Sequence, residues 1–204
     1  MAATLGGRYA TSLIQYAQML NYRWARNAVR DGSFVETMSY AVEHADYLLA
    51  GGRKQDNAYL RERFDGRFFR LHDSGDFFSE AYLEAWIRVA EAHPDVTFWA
   101  PTRIWATTWG VAAVNRLNVT PNLVIRPSAF EVNANPPADL GPGWSRGTYV
   151  LRPGPDVEDS FECGAYRAVD QAKSCRNAVG PDGKVGCRAC WSRGDDLEIT
   201  YRLH

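Results

Sequence analysis

Apolar residues recur at Leu13, Ile14, Ala17, Leu20, Trp24 and Ala28, close to a 3.6-residue period, which predicts an amphipathic helix over residues 10–30. Arg23, Arg26 and Arg30 share its other face. A second stripe, formed by Phe34, Val35, Met38, Ala41, Val42, Ala45, Leu48 and Leu49, predicts the next helix. Ser33 and Glu36 have the spacing of a capping box for it, and Gly51-Gly52 would end it. After a polar stretch, Arg67–His72 reads as a short strand running into the turn-forming Asp73-Ser74-Gly75-Asp76. Ser79 is placed to cap a third helix with Tyr82, Ala85, Trp86 and Val89 on its apolar face, and His93-Pro94 stops that helix.

Val96–Ala100 reads as a second strand, residues 104–117 as a helix, and Leu123–Arg126 as a third strand. Strands alternating with helices at this spacing are the pattern of parallel βαβ units, whose ligand-binding loops lie at the carboxyl ends of the strands. Those loops are His72–Asp76, Pro101–Arg103 and Arg126–Ser128. Residues 133–145, rich in Pro, Gly and Asn, read as a surface loop, and Gly147–Leu151 as one more strand. A chain of 204 residues is short for a complete eight-fold βα barrel. The expectation is therefore an α/β protein with an incomplete βα-barrel-like core over residues 1–152 and an irregular cysteine-rich tail over residues 153–204.

Composition narrows the classes. With 46% apolar and 13% aromatic residues the chain can bury a substantial core, which excludes wholesale disorder. Trp99, Trp105 and Trp109, with Phe98, are expected in that core rather than on a base-stacking surface. Twenty-three basic against 24 acidic residues argue against a protein whose main task is coating phosphate backbones. The Arg23, Arg26 and Arg30 stripe then reads more readily as solvated surface than as a nucleic-acid contact. Neither a secretory signal nor a transmembrane run stands in the sequence, so the cytoplasm is the default compartment.

The strongest chemical feature is Cys163-x11-Cys175-x11-Cys187-x2-Cys190, with no cysteine elsewhere. A thiolate pair two residues apart can grip one metal from both arms of a tight turn. Two further thiolates complete a tetrahedral zinc site or hold a [4Fe–4S] cluster, and spacing does not choose between them. A redox pair at Cys187 and Cys190, or plain buried thiols, are the competing readings. The second feature is the strand-end run His72, Asp73, Ser74 and Asp76, candidate catalytic residues that could orient a ligand, bind a cation or relay a proton. Equally, Asp73 and Asp76 could simply hold the turn through bonds to its backbone. Thr102, Arg103 and Arg126, at the ends of the next strands, would add ligand-binding positive charge to the same rim, unless the arginines pair with the acidic middle of the chain.

The run Phe69-Arg70-Leu71-His72-Asp73-Ser74-Gly75-Asp76-Phe77-Phe78-Ser79, continued by Tyr82-Leu83, Trp86-Ile87 and His93-Pro94-Asp95-Val96, resembles the phage gene-product-88 family. So do Gly7-Arg8-Tyr9 and the ending Cys187-Arg188-Ala189-Cys190-Trp191. The resemblance implies a phage-derived protein working in the host cytoplasm, on a small-molecule or macromolecular substrate. The family's strand-helix pattern and cysteines are in turn similar to those of radical S-adenosylmethionine enzymes. Relatives carry a cysteine-rich segment ahead of the position of Gly7-Arg8-Tyr9, however, and the first cysteine here is Cys163. S-adenosylmethionine chemistry is therefore not carried over, and the expectation is an enzyme-like family member without its catalytic cluster. The alternative is a non-enzymatic, zinc-stapled module that meets nucleic acid or a host protein through Arg23, Arg26 and Arg30.

Overall fold

The computed structural model describes residues 12–45, 67–72, 75–152, 160–163, 180–181, 183, 186–193 and 197–202. The architecture is mixed α/β with short parallel sheets. Two compact units are distinguished, one from Met1–Gly66 with His72–Pro94, the other from Arg67–Leu71 with Asp95–His204.

The described part of the first unit is helical. Helices α1 (Ser12–Asp31), α2 (Phe34–Glu43) and α3 (Glu80–Ala92) pack on one another in pairs. Phe34 is their hub, with its ring 5.2 Å from Tyr82, 5.4 Å from Trp86 and 5.6 Å from Trp24. The cap of α3 is as expected: Ser79 Oγ accepts from the Tyr82 N–H, and the helix ends before His93. Tyr82, Ala85, Trp86 and Val89 are all buried, joined by Leu83, Ile87 and Ala90.

Two expectations for this unit need correction. Ser33 has helical dihedrals and caps nothing with its side chain, because its hydroxyl donates backward to Asp31 Oδ1 at 2.7 Å. The short Asx-type link from Asp31 takes the place of the capping box. Among the side chains of α1 that are described, Ala25 and Ala28 are buried, while Leu20 and Trp24 remain 44% and 42% exposed. The Gly51-Gly52 stop lies outside the described residues.

The second unit holds two three-stranded parallel sheets. In the first, β2 (Thr97–Thr102) is central, flanked by β1 (Phe68–Arg70) and β3 (Leu123–Pro127), with Trp99 opposite Arg70 and Val124. All five residues of β3 are buried, as expected of a parallel strand covered on both faces. Between β2 and β3 the single expected helix is broken into a 3-10 turn, Ile104–Ala106, and a short helix α4, Gly110–Arg116. Thr107 is the cause: its hydroxyl donates to Ile104 O at 2.6 Å and accepts from the Gly110 N–H at 3.0 Å, ending one element and starting the next. Phe98 and Trp99 are buried as expected, but Trp105 and Trp109 are only half-buried.

The second sheet has the order β4-β6-β5, from Thr148–Leu151, Glu198–Arg202 and Ser160–Glu162. A parallel bridge between Ser128 and Thr148 links the end of β3 to the start of β4. The segment read above as an irregular tail thus contributes two strands of a sheet whose third strand precedes it.

Candidate functional site

The strand-end run follows β1 directly. The Leu71 N–H closes the ladder on Trp99 O at 2.8 Å, and His72 then turns with φ +56°, a left-handed conformation that non-glycine residues seldom adopt. Its ring stands edge-on to Phe77 at 4.7 Å and lies 5.8 Å from Tyr82. Gly75 takes φ +94°, where a side chain would be strained. Asp76 Oδ1 accepts from the Phe77 N–H at 2.7 Å, the turn-holding bond anticipated as the alternative to chemistry. Asp73 and Ser74 lie outside the described residues.

The rim residues of the next strands differ from one another. Thr102 is buried, and its hydroxyl accepts from the Ile104 N–H at 3.2 Å, which starts the 3-10 turn. Arg103 is exposed; its Nε donates to Ala129 O at 3.1 Å and its guanidinium lies 5.3 Å from the centre of the Phe130 ring. Arg126, expected to add charge to an open rim, is wholly buried, with 0% of its surface exposed. It donates through Nε to Cys190 O, through Nη1 to Arg146 O and Leu197 O, and through Nη2 to Ala189 O and Ser192 O, at 2.6–3.1 Å. These bonds use all five hydrogens of a guanidinium. Its place in the interior is physically sensible, since a buried cation is tolerated when every donor finds an acceptor. Arg126 acts here as a clamp that holds the segment Ala189–Ser192 against β3.

That segment carries two of the four cysteines. A 3-10 turn, Ala189–Trp191, follows Cys187 and contains Cys190. Cys187 and Cys190 belong to one buried cluster with Trp99, Val124, Ala189 and Ile199. Trp191 closes one side of it, its Nε1 donating to Phe69 O at 3.3 Å and its ring 5.4 Å from that of Trp99. Cations flank the aromatic wall: the Arg70 guanidinium is 5.0 Å from the Trp99 ring and that of Arg188 is 4.5 Å from Phe68.

Cys163 arrives from the other sheet. It follows β5, and its N–H donates to Thr200 O on β6 at 2.8 Å, which extends the β5–β6 register toward Tyr201. Tyr201 Oη is 3.2 Å from Cys190 Sγ, in a hydrogen bond in which either atom could be the donor. As a whole residue Tyr201 is partly exposed, but its phenol end is buried. Burial first, then the charge and hydrogen bond of Cys190 and the charge of Cys163, push the phenol well above its ordinary range, and Arg70 opposes them. One side chain thus feels thiols from both ends of the cysteine group.

The raised phenol fixes an alkaline dependence. Below the ordinary tyrosine value of 10.0 the group is protonated folded or unfolded, so its stabilising contribution is fully present. Above it the unfolded chain gives up the proton and the folded chain keeps it. Stability is then expected to fall by about 1.4 kcal/mol per pH unit until the folded value is reached. Urea midpoints above and below pH ~10 for the wild type and Tyr201→Phe measure it; equal alkaline losses in both would contradict the assignment to Tyr201.

Cys163, Cys187 and Cys190 are buried and joined in no disulfide, and Cys175 lies outside the described residues. Among the described residues no group of three or more His, Cys, Asp or Glu side chains is arranged to hold a metal ion. Trp99 Nε1, buried in the cluster, finds no hydrogen-bond acceptor among them either. Arg23, Arg26 and Arg30 are exposed along α1; Arg30 Nη2 donates to Asn27 Oδ1 at 3.1 Å, and the Arg26 guanidinium lies 5.6 Å from the Tyr22 ring. No described helix is long and apolar enough to cross a membrane.

Sequence reasoning missed Tyr201 and misjudged Arg126. The signal for Arg126 was available, as an arginine closing the apolar run Leu123-Val124-Ile125 in a strand expected to be covered on both faces. Tyr201 had none, because only the β5–β6 register brings it to the cysteines.

These features define an α/β protein with a buried thiol–phenol contact in its parallel-sheet unit. The chain belongs to the phage family described as Gene product 88, which matches it over residues 3–193. It is similar to the Gene 88 protein of Mycobacterium phage D29, at 53% identity over 89 residues, 43% of this chain and 32% of that protein. It is also similar to the Gene 88 protein of Mycobacterium phage L5, at 55% identity over 38 residues, 19% of this chain and 16% of that protein. The matched stretches thus span less than a third of either relative's own length. No solved structure matches the chain.

Proposed function

We propose that this phage protein carries a thiolate-bound metal, zinc or an iron–sulfur cluster, on Cys163, Cys187 and Cys190 with Cys175 as the fourth ligand. The observation that carries the reading is the convergence on Tyr201: Cys190 Sγ lies 3.2 Å from its hydroxyl, and the Cys163 N–H donates to Thr200 O, one residue before it. Cys187 shares the apolar cluster of Cys190, and Cys163 is buried as well. A buried indole N–H without an acceptor in that cluster fits a region that lacks a charged sulfur centre.

Bound metal would supply structural cross-linking or electron transfer. With four thiolates the ion or cluster is saturated by protein, and no position is open to polarise a substrate. The chain's own contribution is the arrangement of the donors. Arg126 fixes the carbonyls of Ala189, Cys190 and Ser192, β6 fixes Cys163, and Trp99 and Trp191 pack over the cluster. The turn His72–Asp76 serves in this reading to redirect the chain after β1.

Purification without oxygen, with metal analysis and a visible spectrum, tests the proposal. The expected result is about one zinc per chain, or about four irons with broad visible absorption. Changing Cys187 and Cys190 to Ser together should abolish it. A folded wild-type chain containing neither metal would remove the proposal, and zinc without visible absorption would select the zinc form.

A further inference from the structure

We propose that the outward face of α1 binds single-stranded nucleic acid, with exposed tyrosines stacking on unpaired bases and Arg23, Arg26 and Arg30 holding the phosphates. The proposal is independent of the thiolate-metal reading, because it uses residues of the helical unit alone. Charge by itself leaves the arginines as solvated surface; the structure adds what stands between and beside them. Tyr16, Met19, Arg23, Arg26 and Arg30 follow one another at intervals of three and four residues, so they share one face of the helix, opposite buried Ala25 and Ala28. On that face and its flanks Tyr16, Met19, Leu20 and Tyr22 are 56%, 44%, 44% and 47% exposed. Large apolar side chains gathered in this way, rather than scattered singly, mark an interaction surface.

The arginines are open as well. Arg23 and Arg26 meet no carboxylate among the described residues, and the Arg26 guanidinium rests over the Tyr22 ring. Asp31 is the one acidic residue of α1; it lies beside Arg30 but takes its hydrogen bonds from the Ser33 N–H and hydroxyl, at 3.0 and 2.7 Å. The occupant follows from this mixture. A second copy of the helix would set three arginines against three, which repels. A lipid surface takes helices whose apolar and cationic residues are segregated on separate faces, whereas here the arginines stand in line with Tyr16 and Met19. A polyanion with flat apolar groups along its length satisfies both kinds of residue. Its phosphates accept the forked donors of arginine, and its bases stack on tyrosine rings, with arginine adding cation–π attraction. A duplex hides the faces of its bases, so the single strand is the better match. From Tyr16 to Arg30 the face is about 21 Å long at a rise of ~1.5 Å per residue, room for about six nucleotides at the ~3.4 Å spacing of a stacked strand.

The probe is a fluorescein-labelled oligothymidylate of about twelve nucleotides, followed by fluorescence anisotropy as the full chain is added at several salt concentrations. The wild type should bind it at low salt, and more tightly than a duplex of the same length. Changing Arg23, Arg26 and Arg30 together to Gln should lower the slope of log affinity against log salt by about 2, the share of three phosphate contacts on a single strand. Tyr16→Ala should weaken binding about 5–100-fold while leaving that slope unchanged. All four positions are exposed, and circular dichroism confirms that the variants keep their helices. Absence of binding by the wild type at low salt overturns the proposal, as does unchanged affinity in either folded variant. A duplex bound as tightly as the single strand overturns the stacking on which it depends. Polyglutamate, or vesicles of phosphatidylserine, displacing the strand as well as unlabelled oligothymidylate does would make the face a site for acidic protein or for lipid instead. None of these outcomes touches the metal reading, which metal analysis decides separately.

Discussion

Replacing Arg126 with methionine is expected to cost the sheet unit roughly 3–5 kcal/mol, enough to unfold it if its total stability is near the lower end of the usual range. The argument does not come from summing five hydrogen bonds, because the gain from each is offset by stripping water from the guanidinium. It comes from what stays behind. Methionine fills the volume but leaves the carbonyls of Arg146, Ala189, Cys190, Ser192 and Leu197 facing an apolar side chain. Three of these belong to the 3-10 turn around Cys190 or the residue that closes it, and among them Ala189 O keeps a backbone donor, the Ser192 N–H at 3.2 Å. Arg126→Lys keeps the charge but offers three donors from one point, and an ammonium cannot reach carbonyls distributed around a planar fork. Its expected cost is about 2 kcal/mol. Urea unfolding followed by circular dichroism measures both. A methionine variant within about 1 kcal/mol of wild type would mean that the clamp is dispensable.

The same residue shows how far the sequence could be read. The alternation of strands and helices from β1 to β3 was legible because each element carries its own period and its own stop: Ser79 before α3, His93-Pro94 after it, and an apolar run for β3. The chemistry at the strand ends was less legible, since a period says which face of an element is apolar and not what approaches that face. Arg126 was therefore expected at a rim, although its partners are main-chain carbonyls supplied from twenty to seventy-one residues further along the chain. The broken helix after β2 turned on a single threonine whose hydroxyl competes with the backbone, and periodicity does not register such a bond. The second sheet was hidden for another reason. Ser160–Glu162 is too short to show an alternation, and it becomes a strand only by pairing with Glu198–Thr200. With that pairing unseen, the approach of Cys163 to Tyr201 was unseen as well. The four cysteines could be counted; how the described ones relate to one another depended on a register no local pattern encodes.

In the helical unit, Phe34→Ala is expected to cost about 3–5 kcal/mol. Phe34 is almost fully buried at the start of α2, and its ring meets Trp24 of α1 and Tyr82 and Trp86 of α3 at 5.2–5.6 Å. Alanine at this position opens a cavity between all three helices, and rigid aromatic neighbours close such a gap poorly. The effect should reach the strand-end turn. Tyr82, which rests on Phe34, also packs on Phe77 and Phe78 and lies against the ring of His72. His72 holds a left-handed backbone that is worth roughly 1–2 kcal/mol of strain, and such a conformation persists only while its surroundings enforce it. Loosening Tyr82 should therefore release the turn before the helices melt, seen as faster amide exchange at Phe77 than in α3. Phe34→Leu, which keeps most of the volume, should cost about 1.5 kcal/mol or less and leave that exchange unchanged. If the alanine variant exchanges uniformly across α3 and the turn, the turn is held by something other than the Phe34–Tyr82 contact.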